Sequence, residues 1–340
     1  MRSSKSISTV NNSLIPFAFA SIFIIWGSTF LAITYGLQGF PPFILSALRF
    51  LVAGSLLVGW RILKGERLSS WKDLGRNAIA GILILGGGTG LVAWSEQYVS
   101  SSEAAIVAAT APFWFIALDA KNRKQYLADK FIIIGLITGF AGLLLFFKGS
   151  FGEAAPATDA GLRITAFVVL GISSLSWVLG SLYSRNFPAK GSTVMNAAQQ
   201  LLAGGVASMI VSMVRHEWTG FSFAAVPAQA WMGLAFLVVM GSVVAYLSYI
   251  WLLTIKPPAL VSMHTYINPV VAVLIGWLFM SEMIAPAQIA ALGIILAGVL
   301  LTNINNYTIN NRFKVRIRRV VRQVRYYSNF IRLITSSNKA

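Results

Sequence analysis

The chain has 340 residues, 56% of them hydrophobic and 11% charged, with a formal net charge of +17. A water-soluble protein carries about 25% charged residues, so most of this chain has no aqueous surface to cover, and it reads as a polytopic, all-α membrane protein. It has no cysteine and only two widely separated histidines, His216 and His264, which excludes a disulfide framework and thiol chemistry; neither a metal site nor a cofactor is expected.

A helix needs about 20 predominantly apolar residues to cross the hydrocarbon core. That length picks out ten spans, near 14–36, 42–60, 77–98, 102–121, 131–148, 162–184, 193–214, 229–254, 258–280 and 286–304. The first apolar run begins near Leu14 and lacks a small-residue cleavage site, so it reads as a retained span and not as a removed signal peptide. With the N-terminus inside, the inner segments hold 23 of the 27 lysines and arginines, and the outer ones hold Lys148, Arg163 and Arg215. Such an imbalance marks the cytoplasmic side. Ten spans with both termini cytoplasmic are therefore predicted, and the net charge reflects topology and tail with no call for nucleic acid.

Span one carries Trp26, Ser28 and Thr29 near its middle. Span two holds Arg49, seven residues in, or about 10 Å below the outer surface. An ionisable residue within a span is costly and points to function. Span three contains LGGGTGLV at 85–92, which lacks the lysine of a phosphate loop and lies inside an apolar helix, so its small residues predict close helix packing. Glu96 and Gln97 end that span. Shared depth pairs Glu96 with Arg49, directly or through water; the other reading has Glu96 solvated and Arg49 snorkelling outward. Glu103, Asp119 and Glu282 fall at predicted helix ends and read as structural or solvated. GLITG at 135–139 is a second packing motif.

Span six carries Trp177, span seven Gln200, and span nine His264, Tyr266 and Asn268. His264 titrates near neutrality in water and reads either as a proton or anion site or as a hydrogen-bonded structural group. Trp26, Ser28, Thr29, Arg49, Glu96, Gln97, Trp177, Gln200, His264, Tyr266 and Asn268 are thus the candidate lining of a substrate pathway. Pro112 in AATAPFWF and Pro269 in TYINPVVA each stand ten or eleven residues into spans four and nine, about 15 Å deep. Proline frees the carbonyl four residues earlier, here Ala108 and Thr265, and both sites are expected to be hinges or broken helices. No nucleotide-driven motor and no catalytic constellation is encoded, so the chain does not read as an enzyme.

The halves echo one another. Twenty-three residues after Trp26 and Trp177 stand Arg49 and Gln200, and twenty-eight after them Gly54 and Gly205. Each half also has its mid-helix proline in its fourth span. Five helices per half is odd, so two inverted five-helix repeats are predicted, 14–148 and 162–304, joined by an external linker at 149–161 and flanked by cytoplasmic tails, 1–13 and 305–340. Inverted repeats are a transporter architecture with its site at mid-depth between halves.

The stretches IIWGSTFLAI, ALRFLVAG, LVAWSEQYVSSSEAAIVAATAPFW and PALVSMHTYINPVVAVLIGWLFMSE resemble the EamA family of the drug/metabolite transporter superfamily. The resemblance covers all ten spans. It implies a ten-helix carrier of two EamA repeats in the bacterial cytoplasmic (inner) membrane, commonly exporting amino acids or other small metabolites. His264 departs from it, standing where a tyrosine is expected, as does the long basic tail. In that tail Phe313, Ile317, Val320, Val324, Tyr327, Ile331 and Ile334 form one helical stripe flanked by eight cations. It reads as an amphipathic helix on the anionic inner leaflet, with a coiled-coil contact in a homodimer as the alternative. The expected activity is export of a small polar or amphipathic solute by alternating access; drug efflux and a non-transporting role such as lipid scrambling are the rivals.

Overall fold

A computed structural model of the chain describes residues 14–99, 101–146, 148, 160–280 and 286–308. The basic tail, residues 1–13, Glu282 and most of the linker lie outside the described residues. Among the described residues there is no strand. The helices are α1 (Leu14–Leu37), α2 (Pro42–Leu63), α3 (Trp71–Ser95), α4 (Ser101–Ala108), α5 (Ala111–Leu118), α6 (Arg123–Ala128), α7 (Lys130–Phe146), α8 (Ala160–Asn186), α9 (Thr193–Val214), α10 (Ala228–Ile255), α11 (Pro258–Val261), α12 (His264–Met280) and α13 (Pro286–Thr308). Six of them, α1, α2, α3, α8, α9 and α10, are long and apolar enough to cross a membrane, while Glu103–Leu118, Lys130–Phe146 and Ile289–Thr302 are shorter apolar stretches.

Helices α2 and α9 pack antiparallel and cap each other. The first N–H groups of a helix have no partner within it, and Pro41 and Pro42 offer α2 no side-chain cap. Glu217, just past the end of α9, supplies one: its Oε2 accepts from the backbone N–H of Phe43 and of Ile44, both at 3.0 Å. At the other end Glu66, just past α2, accepts from the N–H of Ser192 at 2.9 Å and from its hydroxyl at 2.8 Å, and Ser192 caps α9. Glu66 and Glu217 stand at the same sequence separation as Trp26 and Trp177, and each follows a left-handed residue, Gly65 (φ 82°) and His216 (φ 57°). Between the two clasps a Cβ on Gly54 would lie 2.9 Å from the Leu202 nitrogen, and one on Gly205 would lie 2.9 Å from that of Leu51. The repeat-related glycines are where these backbones touch.

Beside a smaller core around Phe43, Trp94 and Leu170, two large hydrophobic cores result. One joins α1, α2, α3, α9 and α10 around Ile22, Phe50, Ile84, Leu201 and Leu237; the other joins α5, α7, α8, α12 and α13 around Phe115, Leu143, Val178, Tyr266 and Ile295. Phe23 and Trp177 pack against both. The glycines of GLITG serve close packing: a Cβ on Gly298 of α13 would collide with the Gly139 backbone, and one on Gly135 would lie 2.6 Å from the Thr302 nitrogen.

Among the described residues the regular helix fails in four places. Helices α3 and α10 turn π-helical over Ile82–Gly90 and Leu237–Ala245, so LGGGTGLV is a widened turn as well as a packing surface. The chain breaks between α4 and α5 at Ala109 and Thr110, with Pro112 in the first turn of α5, where its missing N–H removes no helical hydrogen bond. Pro269 departs from expectation, because it lies inside α12 and the break falls upstream, at Ser262 and Met263. The carbonyl it leaves free, that of Thr265, then belongs to the opening turn of α12, where a missing bond disrupts least.

Candidate functional site

The irregular segments meet around one cavity of about 120 Å³. Its lining draws Leu85, Gly88 and Thr89 from the π-helical turn of α3, and Gly241 and Ser242 from that of α10. Ala108, Ala111 and Thr265 flank the two breaks and line it too. A π turn bonds i to i+5 and leaves neighbouring carbonyls poorly matched; here side chains meet them. Ser173 donates to the Gly88 carbonyl, Ser176 to that of Leu83 at 2.8 Å, and the Trp26 indole N–H to that of Gly241 at 3.2 Å.

The base of the cavity is aromatic. The Trp26 and Trp177 rings meet edge-on at 5.3 Å, and each lies 5.1 Å from Tyr249. The His264 ring lies tilted against Trp26, 4.8 Å between centroids. Its Nδ1 lies 2.9 Å from the Val261 carbonyl. A carbonyl only accepts, so Nδ1 carries the proton, and Nε2 of the neutral ring is an acceptor. With its amide turned so that nitrogen faces the surrounding carbonyls, the orientation its neighbours require, Asn268 donates to the His264 carbonyl at 2.8 Å. Arg49 enters from α2 only 6% exposed, with Nε donating to Ser242 Oγ at 2.8 Å.

The lining climbs to Ile33 and Val92, near the ends of α1 and α3 that share the Pro42 end of the bundle. A second cavity, about 340 Å³, occupies the Leu63 end and is lined by residues that include Asn77, Arg185, Asn196, Gln200 and Ile250. A polar and aromatic septum separates the two. Tyr246 lines the first cavity, and its hydroxyl donates at 2.7 Å to Gln200 Oε1, which lines the second. The Gln200 amide nitrogen reaches Ser184 Oγ at 3.2 Å and Asn77 Oδ1 at 3.4 Å. Beside it Tyr249 takes the Trp177 indole N–H at 2.9 Å and bonds the Ser181 hydroxyl at 2.8 Å.

Of the residues singled out from sequence, Trp26, Thr29, Arg49, Trp177, His264 and Asn268 line the first cavity and Gln200 the second. Ser28 returns its hydroxyl to the Ile24 carbonyl, Gln97 is exposed, and Tyr266 is wholly buried with its hydroxyl on the Leu136 carbonyl at 3.3 Å; none of the three lines either cavity. Arg49 and Glu96 form no direct ion pair. The buried Glu96 carboxylate has no hydrogen-bond partner among the described residues, and depth along a helix says nothing about the direction a side chain faces. Glu103 and Asp119 are buried and structural, Glu103 bound to Arg163 at 2.5 Å and Asp119 accepting from the Tyr126 hydroxyl at 2.9 Å. Among the described residues no group of three His, Asp or Glu could hold a metal ion. Ser242, Tyr246 and Tyr249 escaped the sequence reading, although their spacing of four and three residues marks a single helical face.

Against known families, residues 13–148 and 164–304 each match the EamA-like transporter family. The chain belongs to that family. This EamA-like transporter is similar to an uncharacterized inner membrane transporter, YedA, of Escherichia coli (strain K12), with 32% identity over 296 residues covering 85% of this chain and 90% of the relative. It is similar also to an uncharacterized transporter, YoaV, of Bacillus subtilis (strain 168), 25% identical over 299 residues, with 86% and 96% of the two chains covered. A solved crystal structure with 18% identity superposes with a TM-score of 0.70 over 88% of this chain and 99% of its own; at that identity the likeness concerns the fold. The protein is thus a multi-pass membrane transporter of the EamA type, its family match falling on both halves.

Proposed function

We propose that this transporter has ten spans arranged as two inverted repeats, 14–148 and 162–304, with both termini cytoplasmic, and that it exports a small polar or amphipathic metabolite, such as an amino acid, by alternating access in a bacterial inner membrane. The observation that carries the reading is the pair of cavities at opposite ends of the bundle, separated by one thin layer whose Tyr246–Gln200 bond joins their walls. A lipid scramblase needs no such septum. The reciprocal clasps of Glu66 and Glu217 support two counter-oriented halves, and the Lys/Arg distribution supports an inward-facing Leu63 end. The aromatic floor favours solutes with a flat apolar part, which keeps aromatic amino acids and flat amphipathic drugs on one panel.

The test is flux in proteoliposomes over a panel of amino acids and an amphipathic cation, with and without a proton gradient. Gradient-independent exchange would mark a facilitator, and absence of flux for every member would sink the reading. The basic tail is proposed to lie on anionic lipid; removing 312–340 is expected to lower binding to anionic vesicles without abolishing flux.

A further inference from the structure

A buried charge without a counter-charge is strongly destabilising unless something neutralises it. Arg49 has no carboxylate within ion-pair distance among the described residues, and no acidic residue lines its cavity. Among the described residues its one hydrogen bond runs from Nε to Ser242 Oγ at 2.8 Å, which fixes the guanidinium plane and leaves Nη1 and Nη2 as unused donors. The residue is positioned from behind as well: a Cβ on Gly241 would come within 2.7 Å of Nη2, so the π-helical turn of α10 gives the guanidinium its seat by having no side chain there. The two terminal nitrogens of an arginine form a planar fork that fits a carboxylate with two parallel hydrogen bonds. Across the cavity stand hydroxyls and indoles that carry no charge, Thr89, Ser174, Trp26 and Trp177.

We propose that Arg49 is the anchor for a carboxylate on the transported solute, so that this carrier selects organic anions, or zwitterions docked by their acidic end, with the apolar part of the molecule resting on Trp26 and Trp177. The proposal rests on the transport reading of this cavity and adds the substrate's charge to it. Ser242 and Gly241 are positioning residues, holding the fork without touching the solute.

Benzoate and benzamide have nearly the same shape and differ in charge, and their binding to the purified full chain can be measured by titration calorimetry. The wild type is expected to prefer benzoate by about tenfold or more, the factor that a charge-assisted pair of hydrogen bonds supplies. Arg49→Gln should remove that preference while benzamide binding changes by less than about twofold. Arg49→Lys keeps the charge and loses the fork, and is expected to retain part of the preference. Gly241→Ala, which pushes the guanidinium off its seat and leaves its charge, should weaken benzoate alone. Equal binding of the two probes by the wild type overturns the proposal with no variant needed, as does an Arg49→Gln protein that loses both probes alike. If benzoate is preferred yet no solute crosses proteoliposomes, the anion site stands and the transport reading falls. If solutes cross while the probes bind equally, the transport reading stands and the anchor falls.

Discussion

Arg49 and Gln200 occupy equivalent places in the two halves, each seven residues past the helix start on α2 and α9, yet their chemistry is opposite. Arg49 spends one donor on Ser242 and turns the rest to an open cavity. Gln200 is bonded on both amide atoms, to Tyr246, Ser184 and Asn77. The frame around them is symmetric down to its caps and glycine contacts, so the difference lies in side chains alone. The proposed alternating access needs two states of this frame, and these two side chains distinguish its ends: the cavity toward the Pro42 end is walled off from the one toward the Leu63 end by the Gln200 hydrogen bonds.

The strongest way to break that asymmetry is to unmake the septum. Gln200→Leu leaves the Tyr246 hydroxyl without its acceptor and Asn77 and Ser184 without the Gln200 donor. Each buried group stranded this way costs about 1–3 kcal/mol, enough to move a balance between two states by tenfold or more. The chain has no cysteine, so introduced ones report access without background. With Thr89→Cys in the first cavity and Ser184→Cys in the second, a membrane-impermeant thiol reagent applied from one side is expected to reach a single site in the wild type. In the Gln200→Leu background the same reagent should label both. Unchanged one-sided labelling would show that Tyr246 and Gln200 do not form the barrier.

How much of this was legible beforehand depends on how unusual each residue is in an apolar run. Arg49 and the repeated tryptophans stand out in a membrane span, and Trp26 and Trp177 do meet at the cavity floor. Ser242, Tyr246 and Tyr249 were missed because hydroxyls are ordinary in spans, so a face marked only by their spacing of four and three does not stand out. The direct Arg49–Glu96 ion pair does not form, because sequence gives depth well and azimuth poorly. A break in the helix precedes Pro112, whereas Pro269 lies within α12, its missing bond falling in the opening turn.

The two clasps sharpen the comparison at smaller scale. Glu66→Ala and Glu217→Ala should each cost about 1–2 kcal/mol, as loss of a helix cap does, read as thermal unfolding of the purified protein. Their pH dependences should run in opposite directions. Burial pushes Glu66 up, but the Ser192 bonds and Arg61 outweigh it and hold the carboxyl below its ordinary 4.5. Its contribution is therefore full above pH 4.5 and lost as pH falls through the folded value. For Glu217 burial dominates the Phe43 and Ile44 bonds and raises the carboxyl above 4.5, so its contribution is full below pH 4.5 and declines as pH rises through the folded value. Relative to wild type, Glu66→Gln should lose most at pH 7, and Glu217→Gln should gain between pH 4 and pH 7. Parallel profiles would mean the clasps are not electrostatically distinct.

The smallest effect concerns the residue before each clasp. Gly65 adopts φ 82° without a side chain to clash, whereas His216 holds φ 57° with one, and a left-handed conformation costs a non-glycine residue roughly 1–2 kcal/mol. The His216 ring is exposed, so little packing is lost with it. His216→Gly should therefore raise stability, by about 1 kcal/mol or somewhat less once the added freedom of the unfolded chain is counted, while Gly65→Ala should lower it by a similar amount. If His216→Gly instead destabilised the protein, the turn before Glu217 would owe its shape to the imidazole, and the two clasps would be alike in outline only.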